Sequence, residues 1–358
     1  MFAIVMAGGS GTRFWPASRE HLPKQFLSIA SQQSLFEDTL DRVSPLVGYE
    51  RIYVVVNRVH EATTRRLLGG RPAPVLVEPA GRNTAACIGL AALHLRRLAE
   101  NDPVFVLPSD HFIANPYGFR RALAAAAELA YSGAVVTLGI TPTRPETGYG
   151  YIEVGGEIER VQDEWYQKAE RFVEKPDRAT ALRYLSSGRH FWNAGIFIFT
   201  ARTILTEIER CMPALHEGLC RVDAALGTPG YAAALEEVYD GLESVSIDYG
   251  VMEKTGAPLL ALRGDFGWSD IGSWQALYEL RRDRYDEQGN LLPEHAVAVD
   301  ARHNLVHSAT PRLIALLGVE NLVVVDTPDA LLVANLSHSQ DVKRFPELLR
   351  RTGRTELT

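Results

Sequence analysis

Short apolar runs alternate with longer amphipathic segments over about the first 280 residues of the chain. Five of the runs are rich in β-branched residues and predict buried parallel strands, at residues 2–7, 52–56, 75–77, 104–107 and 134–138. Ala- and Leu-rich stretches at residues 85–98 and 119–131 predict helices between them. This order predicts an α/β fold with a doubly wound, mostly parallel, Rossmann-like sheet, in which ligands bind at the carboxyl ends of the strands.

The pattern changes in two later regions. Residues 149–176 alternate in polarity around Gly155-Gly156, which predicts an antiparallel hairpin turning at those glycines. The polar stretch 281–290 predicts a linker, and the segments beyond it predict short strands near residues 296–299, 313–317, 322–325 and 331–334. We therefore expect a main domain over residues 1–280 and a small β-rich domain over residues 291–358.

The first predicted strand runs into a glycine-rich loop that carries basic residues. The loop reads Gly8-Gly-Ser-Gly-Thr-Arg13 and is followed by Pro23-Lys24. Glycines after a strand let backbone N–H groups approach a phosphate, and Arg13 and Lys24 add positive charge. Neither familiar nucleotide motif fits, because Phe14 occupies the third glycine of a dinucleotide fingerprint and a Walker A lysine is missing after Gly11. The loop predicts a polyphosphate ligand.

These residues resemble the signature of the sugar-nucleotidyltransferases, and Leu22-Pro-Lys-Gln-Phe-Leu27 resembles its mannose-1-phosphate guanylyltransferase branch. The resemblance implies the nucleotidyltransferase fold and the transfer of GMP from GTP to mannose 1-phosphate, which forms GDP-mannose and releases pyrophosphate. Arg13 and Lys24 would then be catalytic residues. In that family the C-terminal region is a β-helix-like extension that supports dimerisation, so the resemblance also implies a homodimer.

Two acidic residues are candidate ligands for Mg²⁺ or another divalent cation. Asp110 ends the stretch Leu107-Pro-Ser-Asp, and Asp270 lies between small residues and tryptophans in Phe266–Trp274. Magnesium prefers hard oxygen ligands, usually one or two carboxylates together with phosphates. Each residue could instead cap a helix. In the resembled family, the segment around Asp270 supplies the acid that completes the metal site.

Candidate ligands for the sugar and its phosphate lie in four segments. Phe172-Val-Glu-Lys-Pro176 resembles the sugar-phosphate element of the family, in which Lys175 would bind phosphate and Glu174 would accept sugar hydroxyl hydrogens. The alternative is an exposed Glu–Lys pair at a strand end. Asn193 could bind sugar hydroxyls beside Gly195, or serve as a turn residue. Backbone groups at Gly148 are a further candidate. Residues 247–254 also resemble the branch and predict mainly a capped helix, in which Asp248 could lie near the sugar.

The nucleotide is expected to contact the glycine loop and a second loop, Glu78-Pro-Ala-Gly-Arg-Asn-Thr84, which resembles the base-recognition loop of the guanylyltransferase branch. A guanine edge requires acceptors, which Glu78 or the backbone could supply, although Asn83 and Thr84 could be helix caps. The nucleotide-binding candidates are Ala7, Gly8, Gly9, Gly11, Thr12, Glu78, Asn83, Thr84 and Ser109.

Composition narrows the class of protein. A formal net charge of −7 gives no indication of nucleic-acid or membrane binding. Three cysteines without metal-type spacing indicate reduced thiols, and with no basic leader they predict a cytoplasmic protein. Two alternatives remain open: an enzyme for another sugar 1-phosphate or nucleoside triphosphate, and a non-catalytic, regulatory subunit that binds nucleotide sugars.

Overall fold

The computed structural model describes residues 1–9, 11–173 and 175–358. Its residue contacts divide into two compact units. The sheet unit comprises Met1–Gly8, Thr39–Ser109 and Ile113–Trp268, and the loop unit comprises Gly9–Asp38, Asp110–Phe112 and Ser269–Thr358. Each of these units combines segments that are distant in sequence, whereas the boundary expected near residues 280–291 divides the chain into two continuous parts. That boundary stays a prediction.

Within the described residues, the sheet unit contains a nine-stranded mixed sheet. Its strands are β1 (Phe2–Met6), β2 (Ile52–Asn57), β3 (Val75–Glu78), β4 (Pro103–Pro108), β6 (Val135–Ile140), β7 (Tyr151–Val161), β8 (Glu164–Val173), β9 (His190–Thr200) and β10 (Leu259–Gly264). The strand order is β3-β2-β1-β4-β9-β6-β10-β8-β7. Strands β3, β2, β1 and β4 are parallel, and β9 is antiparallel to both β4 and β6. Two further strands, β5 (Phe112–Ile113) and β11 (Trp268–Ser269), have two residues each and lie outside this sheet.

The α-helices are amphipathic, and several begin at a polar cap. They are α1 (Leu35–Val47), α2 (Glu61–Leu68), α3 (Asn83–Ala99), α4 (Pro116–Tyr131), α5 (Arg178–Ser187), α6 (Ala201–Cys211), α7 (Pro213–Ala225), α8 (Tyr231–Gly241), α9 (Trp274–Leu280) and α10 (Arg344–Arg351). Asn115 caps α4 by accepting from the Gly118 N–H, and Asp177 caps α5 in the same way. The Ala-rich face of α3 packs into the buried core of the sheet unit, with Val55 and Val104 in the same cluster.

The predicted fold class is confirmed, with two differences. All five predicted strands form, but the antiparallel β9 separates β6 from the four parallel strands. The predicted hairpin turn is wrong: Gly155 and Gly156 lie inside β7, and the chain turns between Val161 and Glu164. A Cβ on Gly155 would meet only the end of the exposed, flexible Glu170 side chain, which can move aside.

The C-terminal strands belong to the loop unit. They are β12 (Ala296–Val299), β13 (Leu305–Ser308), β14 (Ile314–Leu317), β15 (Leu322–Asp326) and β16 (Leu331–Asn335). The sequence predicted four of them and missed β13. Leu305, Val323 and Leu332 of these strands lie in one buried cluster with Phe14 and Trp15 of the glycine-loop region. The N-terminal loop and the C-terminal strands therefore share a core.

No helix in the described part of the chain is both long and apolar enough to cross a membrane. The three cysteines are free thiols, of which only Cys87 is buried; Cys220 is exposed.

Candidate active site

Lys24 is the centre of a polar cluster in the loop unit. Its side chain is 7% exposed, and its ammonium donates to Asp110 Oδ2 at 3.0 Å and to the backbone carbonyl of Asp270. The ammonium also lies 6.0 Å from the centre of the Phe14 ring. Both predicted metal ligands are thus in contact with one predicted catalytic residue.

The glycine loop is shaped to reach Lys24. Gly11 has a φ of 57°, and a Cβ there would overlap the Lys24 backbone, so the position requires glycine. Two side chains hold the loop: Ser18 Oγ donates to the Gly11 carbonyl at 2.7 Å, and Gln25 Nε2 donates to the Gly9 carbonyl at 3.1 Å. Sequence reasoning missed both residues, although Gln25 adjoins Lys24.

Arg13 lies beside Asp270. Both side chains lie next to Gly272. A Cβ built on this glycine would be 2.9 Å from Asp270 Oδ2 and 3.3 Å from Arg13 Nη1. Arg13 Nη1 also donates to Gln340 Oε1 at 3.4 Å. No motif in the sequence indicated Gln340, which is 327 residues away along the chain.

Asp110 is held as a carboxylate. Burial favours its neutral form, but the charge of Lys24, the charge of His111 and the Lys24 hydrogen bond together hold the pKa of Asp110 below its ordinary value. The His111 ring nitrogen is 3.8 Å from Asp110 Oδ1. The cluster therefore presents an ionised oxygen donor near neutral pH.

The donor set of this cluster suits a hard divalent cation. Asp110 and Asp270 both offer carboxylate oxygens, which Mg²⁺ prefers. Among the residues the structure describes, no three His, Cys, Asp or Glu side chains gather to form a metal site. A metal at this pair would therefore take its further ligands from phosphate or water.

C-terminal segments anchor the chain between Arg13 and Lys24. Trp15 stacks on Phe345 with ring centres 5.2 Å apart, and its Nε1 donates to the Leu357 carbonyl at 2.8 Å. Arg19 pairs with Asp329 at 2.8 Å. The cluster around Lys24 thus depends on segments from both ends of the sequence.

In the sheet unit, Asn193 is the best-positioned sugar candidate. Its Nδ2 donates to Asp248 Oδ1 at 2.8 Å, and its Oδ1 accepts from the Gly195 N–H at 2.9 Å. These two bonds fix the amide plane. Gly195 has a φ of 63°, which fits glycine.

The other sugar candidates are more exposed. The Gly148 N–H donates to Glu146 Oε1 at 2.9 Å, so that N–H is already engaged. Lys175 is exposed and follows β8 with a positive φ of 26°. Glu174 lies outside the described residues.

The predicted base loop is hydrogen-bonded to the end of α8 and to the segment that follows it. Arg82 Nε donates to the Tyr239 carbonyl at 2.6 Å, and the Ile247 N–H donates to Thr84 Oγ1 at 2.8 Å. Glu78 is 4% exposed and accepts from the Tyr239 hydroxyl at 3.0 Å. Burial raises the pKa of Glu78 to about 7, and the Tyr239 hydrogen bond opposes this rise.

The remaining nucleotide candidates differ in accessibility. Gly8, Gly9 and Asn83 are exposed, and Thr12 is half-buried. Asn83 Oδ1 accepts from the Thr84 N–H at 2.8 Å. The Ala7 N–H donates to Val55 and is not available to a nucleotide, and Ser109 is 2% exposed.

A cavity of about 560 Å³ lies elsewhere in the sheet unit, between α7, α8 and the start of α3. None of the catalytic, binding or metal-ligand candidates predicted from the sequence lines this cavity.

Comparison with known proteins gives consistent matches. Residues 2–287 match the nucleotidyl transferase family, and residues 294–349 match the MannoseP isomerase/GMP-like beta-helix domain. A mannose-1-phosphate guanylyltransferase of Escherichia coli is 41% identical over 99% of this chain and 75% of its own length. The xanthan biosynthesis protein XanB of Xanthomonas campestris pv. campestris (strain B100) is 40% identical over 99% of this chain and 74% of its own length.

A solved structure agrees with these matches. The crystal structure of a Thermus thermophilus protein, described as a mannose-1-phosphate geranyltransferase, is 39% identical with a TM-score of 0.86. The alignment covers 98% of this chain and 99% of the other.

Proposed function

We infer the function from one premise: this chain belongs to the mannose-1-phosphate guanylyltransferase family, within the nucleotidyl transferases. It transfers GMP from GTP to mannose 1-phosphate, forming GDP-mannose and releasing pyrophosphate. The observation that carries this conclusion beyond the family match is the contact of Lys24 with both Asp110 and Asp270, beside Arg13.

The transfer of GMP requires few chemical groups from the protein. The phosphate oxygen of mannose 1-phosphate is already an anion, so it can attack the α-phosphorus of GTP without a general base. The bond from the α-phosphorus to the bridging oxygen breaks, and pyrophosphate leaves with that electron pair. Catalysis then rests on in-line positioning and on neutralising phosphate charge.

Lys24 and Arg13 supply that positive charge. Both belong to the loop unit, and Lys24 is fixed by its two acceptors. We assign them to the triphosphate and the departing pyrophosphate, with backbone N–H groups of the glycine loop as further donors. Gln340 is a positioning residue, since it acts through Arg13.

Asp110 and Asp270 are the residues that would hold a divalent cation, with Mg²⁺ as the best fit to their oxygen donors. When bound, the cation supplies charge neutralisation at the phosphate oxygens. The low pKa of Asp110 keeps its oxygens available for this role near neutral pH.

The sheet unit carries the residues proposed for the sugar and the base. Asn193 binds sugar hydroxyls, with Asp248 fixing its orientation. Gly195 leaves space beside it, and Lys175 and Glu174 bind the sugar phosphate and hydroxyls. Because Glu78 is buried against Tyr239, we propose that it positions the base loop and that backbone groups of the loop contact the guanine.

A pyrophosphate-release assay with purified protein, Mg²⁺, GTP and mannose 1-phosphate tests the function. We expect turnover that requires both substrates and exceeds turnover with other nucleoside triphosphates or with glucose 1-phosphate. Preference for a different pair would identify another nucleotidyltransferase activity. Binding of GDP-mannose without turnover would identify a regulatory subunit.

Two further expectations from the sequence stay predictions. They are the homodimer and the cytoplasmic location of the protein.

A further inference from the structure

A second, smaller cavity lies within the loop unit. Its volume is about 170 Å³. It is bounded by residues 28–31, by the end of α9 with the turn that follows, and by β13. None of the residues assigned above to GTP, sugar or metal lines it.

The charged residues that line this cavity are basic. Arg281 and Arg284 contribute guanidinium groups, and no Asp or Glu is among the lining residues. Arg281 donates to the Ala30 carbonyl through Nη1, and its Nε is 4.0 Å from the well-exposed Asp283 carboxylate. Burial, followed by the charge of Arg284, lowers the pKa of Arg281 from its ordinary value. The lining itself therefore carries two positive charges and no carboxylate, although Asp38 and Asp326 lie behind it as partners of Ser31 and Ser308.

Two other groups offer hydrogen bonds to an occupant. His307 lies against Trp274, with ring centres 5.2 Å apart, and burial lowers its pKa, so the imidazole is neutral near pH 7. Within the described residues, neither its ring nitrogens nor the Ser28 hydroxyl has a hydrogen-bond partner. A neutral imidazole provides one N–H donor, and a serine hydroxyl provides another.

The remaining polar lining is already engaged, and the rest is apolar. Ser31 Oγ donates to Asp38 Oδ2 at 2.8 Å, and Ser308 Oγ donates to the Thr310 carbonyl at 2.9 Å. The apolar lining residues are Ile29, Leu277, Leu291, Leu292, Pro293, Leu305 and Val306. An apolar wall strengthens the attraction between a guanidinium and an anion, because less water screens it.

We propose that this cavity is a second anion site, which binds the phosphate group of inorganic phosphate or of a small phosphate monoester. Guanidinium groups match phosphate oxygens in geometry and charge, and His307 and Ser28 add neutral donors. The volume admits a phosphate with a few attached carbons but not a nucleotide.

The site is connected to the cluster around Lys24. Ser28 and Ile29 follow the short helical turn Lys24–Phe26, and α9 begins four residues after Asp270. An anion held between these segments would restrain both of them. Binding at the cavity would therefore affect the position of Lys24 and Asp270.

Isothermal titration of the full chain with inorganic phosphate, and separately with glycerol 3-phosphate, tests the proposal at low ionic strength. Arg284→Ala removes an exposed guanidinium that lines the cavity, and Arg282→Ala is the matched control on the same turn, outside the lining. Arg13→Ala reports phosphate binding at the candidate active site. We expect Arg284→Ala to weaken one phosphate site at least about tenfold, the loss of one charge-assisted contact.

The controls decide the outcome. If the proposal is correct, Arg282→Ala changes the phosphate affinity by less than about twofold, and the Arg13→Ala variant still binds phosphate at this cavity. Equal affinities in Arg284→Ala and Arg282→Ala would overturn it, as would loss of all phosphate binding in Arg13→Ala. Tighter binding of glycerol 3-phosphate would identify a monoester as the ligand class, and equal or weaker binding would identify inorganic phosphate.

Discussion

The polar residues of the loop unit and those of the sheet unit are held in different ways. In the loop unit, charged side chains gather: the Lys24 ammonium contacts the Asp110 carboxylate and the backbone carbonyl of Asp270, and Arg13 and Asp270 both lie next to Gly272. In the sheet unit, an amide is oriented by a carboxylate and a backbone N–H, as at Asn193. In the proposed function, phosphates and a cation would replace some of these charged partners, whereas the oriented amide would accept sugar hydroxyls without rearrangement.

The two kinds of polar cluster should respond differently to substitution. We expect that removing a charge from the Lys24 cluster unbalances the remaining charges and lowers turnover. We expect that removing the hydrogen-bond partner of Asn193 lowers the affinity for mannose 1-phosphate.

Asp110→Asn and Asp270→Asn should each reduce turnover by about 10²- to 10³-fold. An amide cannot carry the negative charge that a divalent cation requires, and it changes side-chain volume little. Pyrophosphate release at saturating Mg²⁺ measures the effect, with far-UV circular dichroism as the check on folding. Asp300→Asn is the matched control, since Asp300 is exposed with a positive φ that Asn tolerates. Near-normal rates in both variants would show that Asp110 and Asp270 are not the metal ligands.

Leu332→Ala should lower the free energy of unfolding by about 2–5 kcal/mol. Leu332 is buried in the cluster that also holds Phe14 and Trp15, so its loss should also weaken GTP binding. Leu331→Ala is the matched control, because its side chain is 56% exposed on the other face of β16. Urea denaturation measures the stability of both variants. Equal stabilities would show that β16 does not support the glycine-loop region.

Glu78→Gln should make stability less sensitive to pH. The folded pKa of Glu78, about 7, exceeds its ordinary value, so its contribution is full below about pH 4.5 and is lost as pH rises through 7. The unfolding free energy of the unsubstituted protein should therefore fall relative to Glu78→Gln between pH 5 and 8, by up to about 3 kcal/mol. Denaturation at several pH values, with the exposed Glu294→Gln as control, measures this. A constant difference would argue against an ionising, buried Glu78.

Asp248→Ala should raise the KM for mannose 1-phosphate by about 3- to 10-fold and leave the KM for GTP unchanged, the scale of one hydrogen bond. Asp248→Asn should recover part of the loss, since its carbonyl oxygen can still accept from Asn193. Asp240→Ala, at an exposed position on α8, is the control. Equal changes in both KM values would indicate a structural role for Asp248.

Much of the fold was predictable because buried strands carry a strong signal. Runs such as Ile52–Asn57 are apolar on both faces, which water-exposed segments rarely are. The inserted β9 was not predictable in position, since an apolar strand gives no sign of its neighbours. Gly155-Gly156 is typical of a turn, yet both glycines lie inside β7, where the register with β8 shifts.

For the candidate site, local motifs indicated the charged residues but not their contacts. Arg13, Lys24, Asp110 and Asp270 each stand in a short motif, and the structure brings them together. Gln340 and Tyr239 could not be found this way, because they act through residues more than 150 positions away. The hydrogen bond from the Ile247 N–H to Thr84 and the burial of Glu78 also depend on tertiary packing.

The central claim is that Lys24 serves GTP and Lys175 serves mannose 1-phosphate. Steady-state kinetics of GDP-mannose formation by Lys24→Ala and Lys175→Ala, with each substrate varied separately and the exposed Lys343→Ala as control, tests it most directly. We predict that Lys175→Ala raises the KM for mannose 1-phosphate by about 10- to 150-fold, and that Lys24→Ala chiefly lowers turnover with GTP. A Lys175→Ala enzyme with impaired use of GTP and an unchanged mannose 1-phosphate dependence would contradict the account.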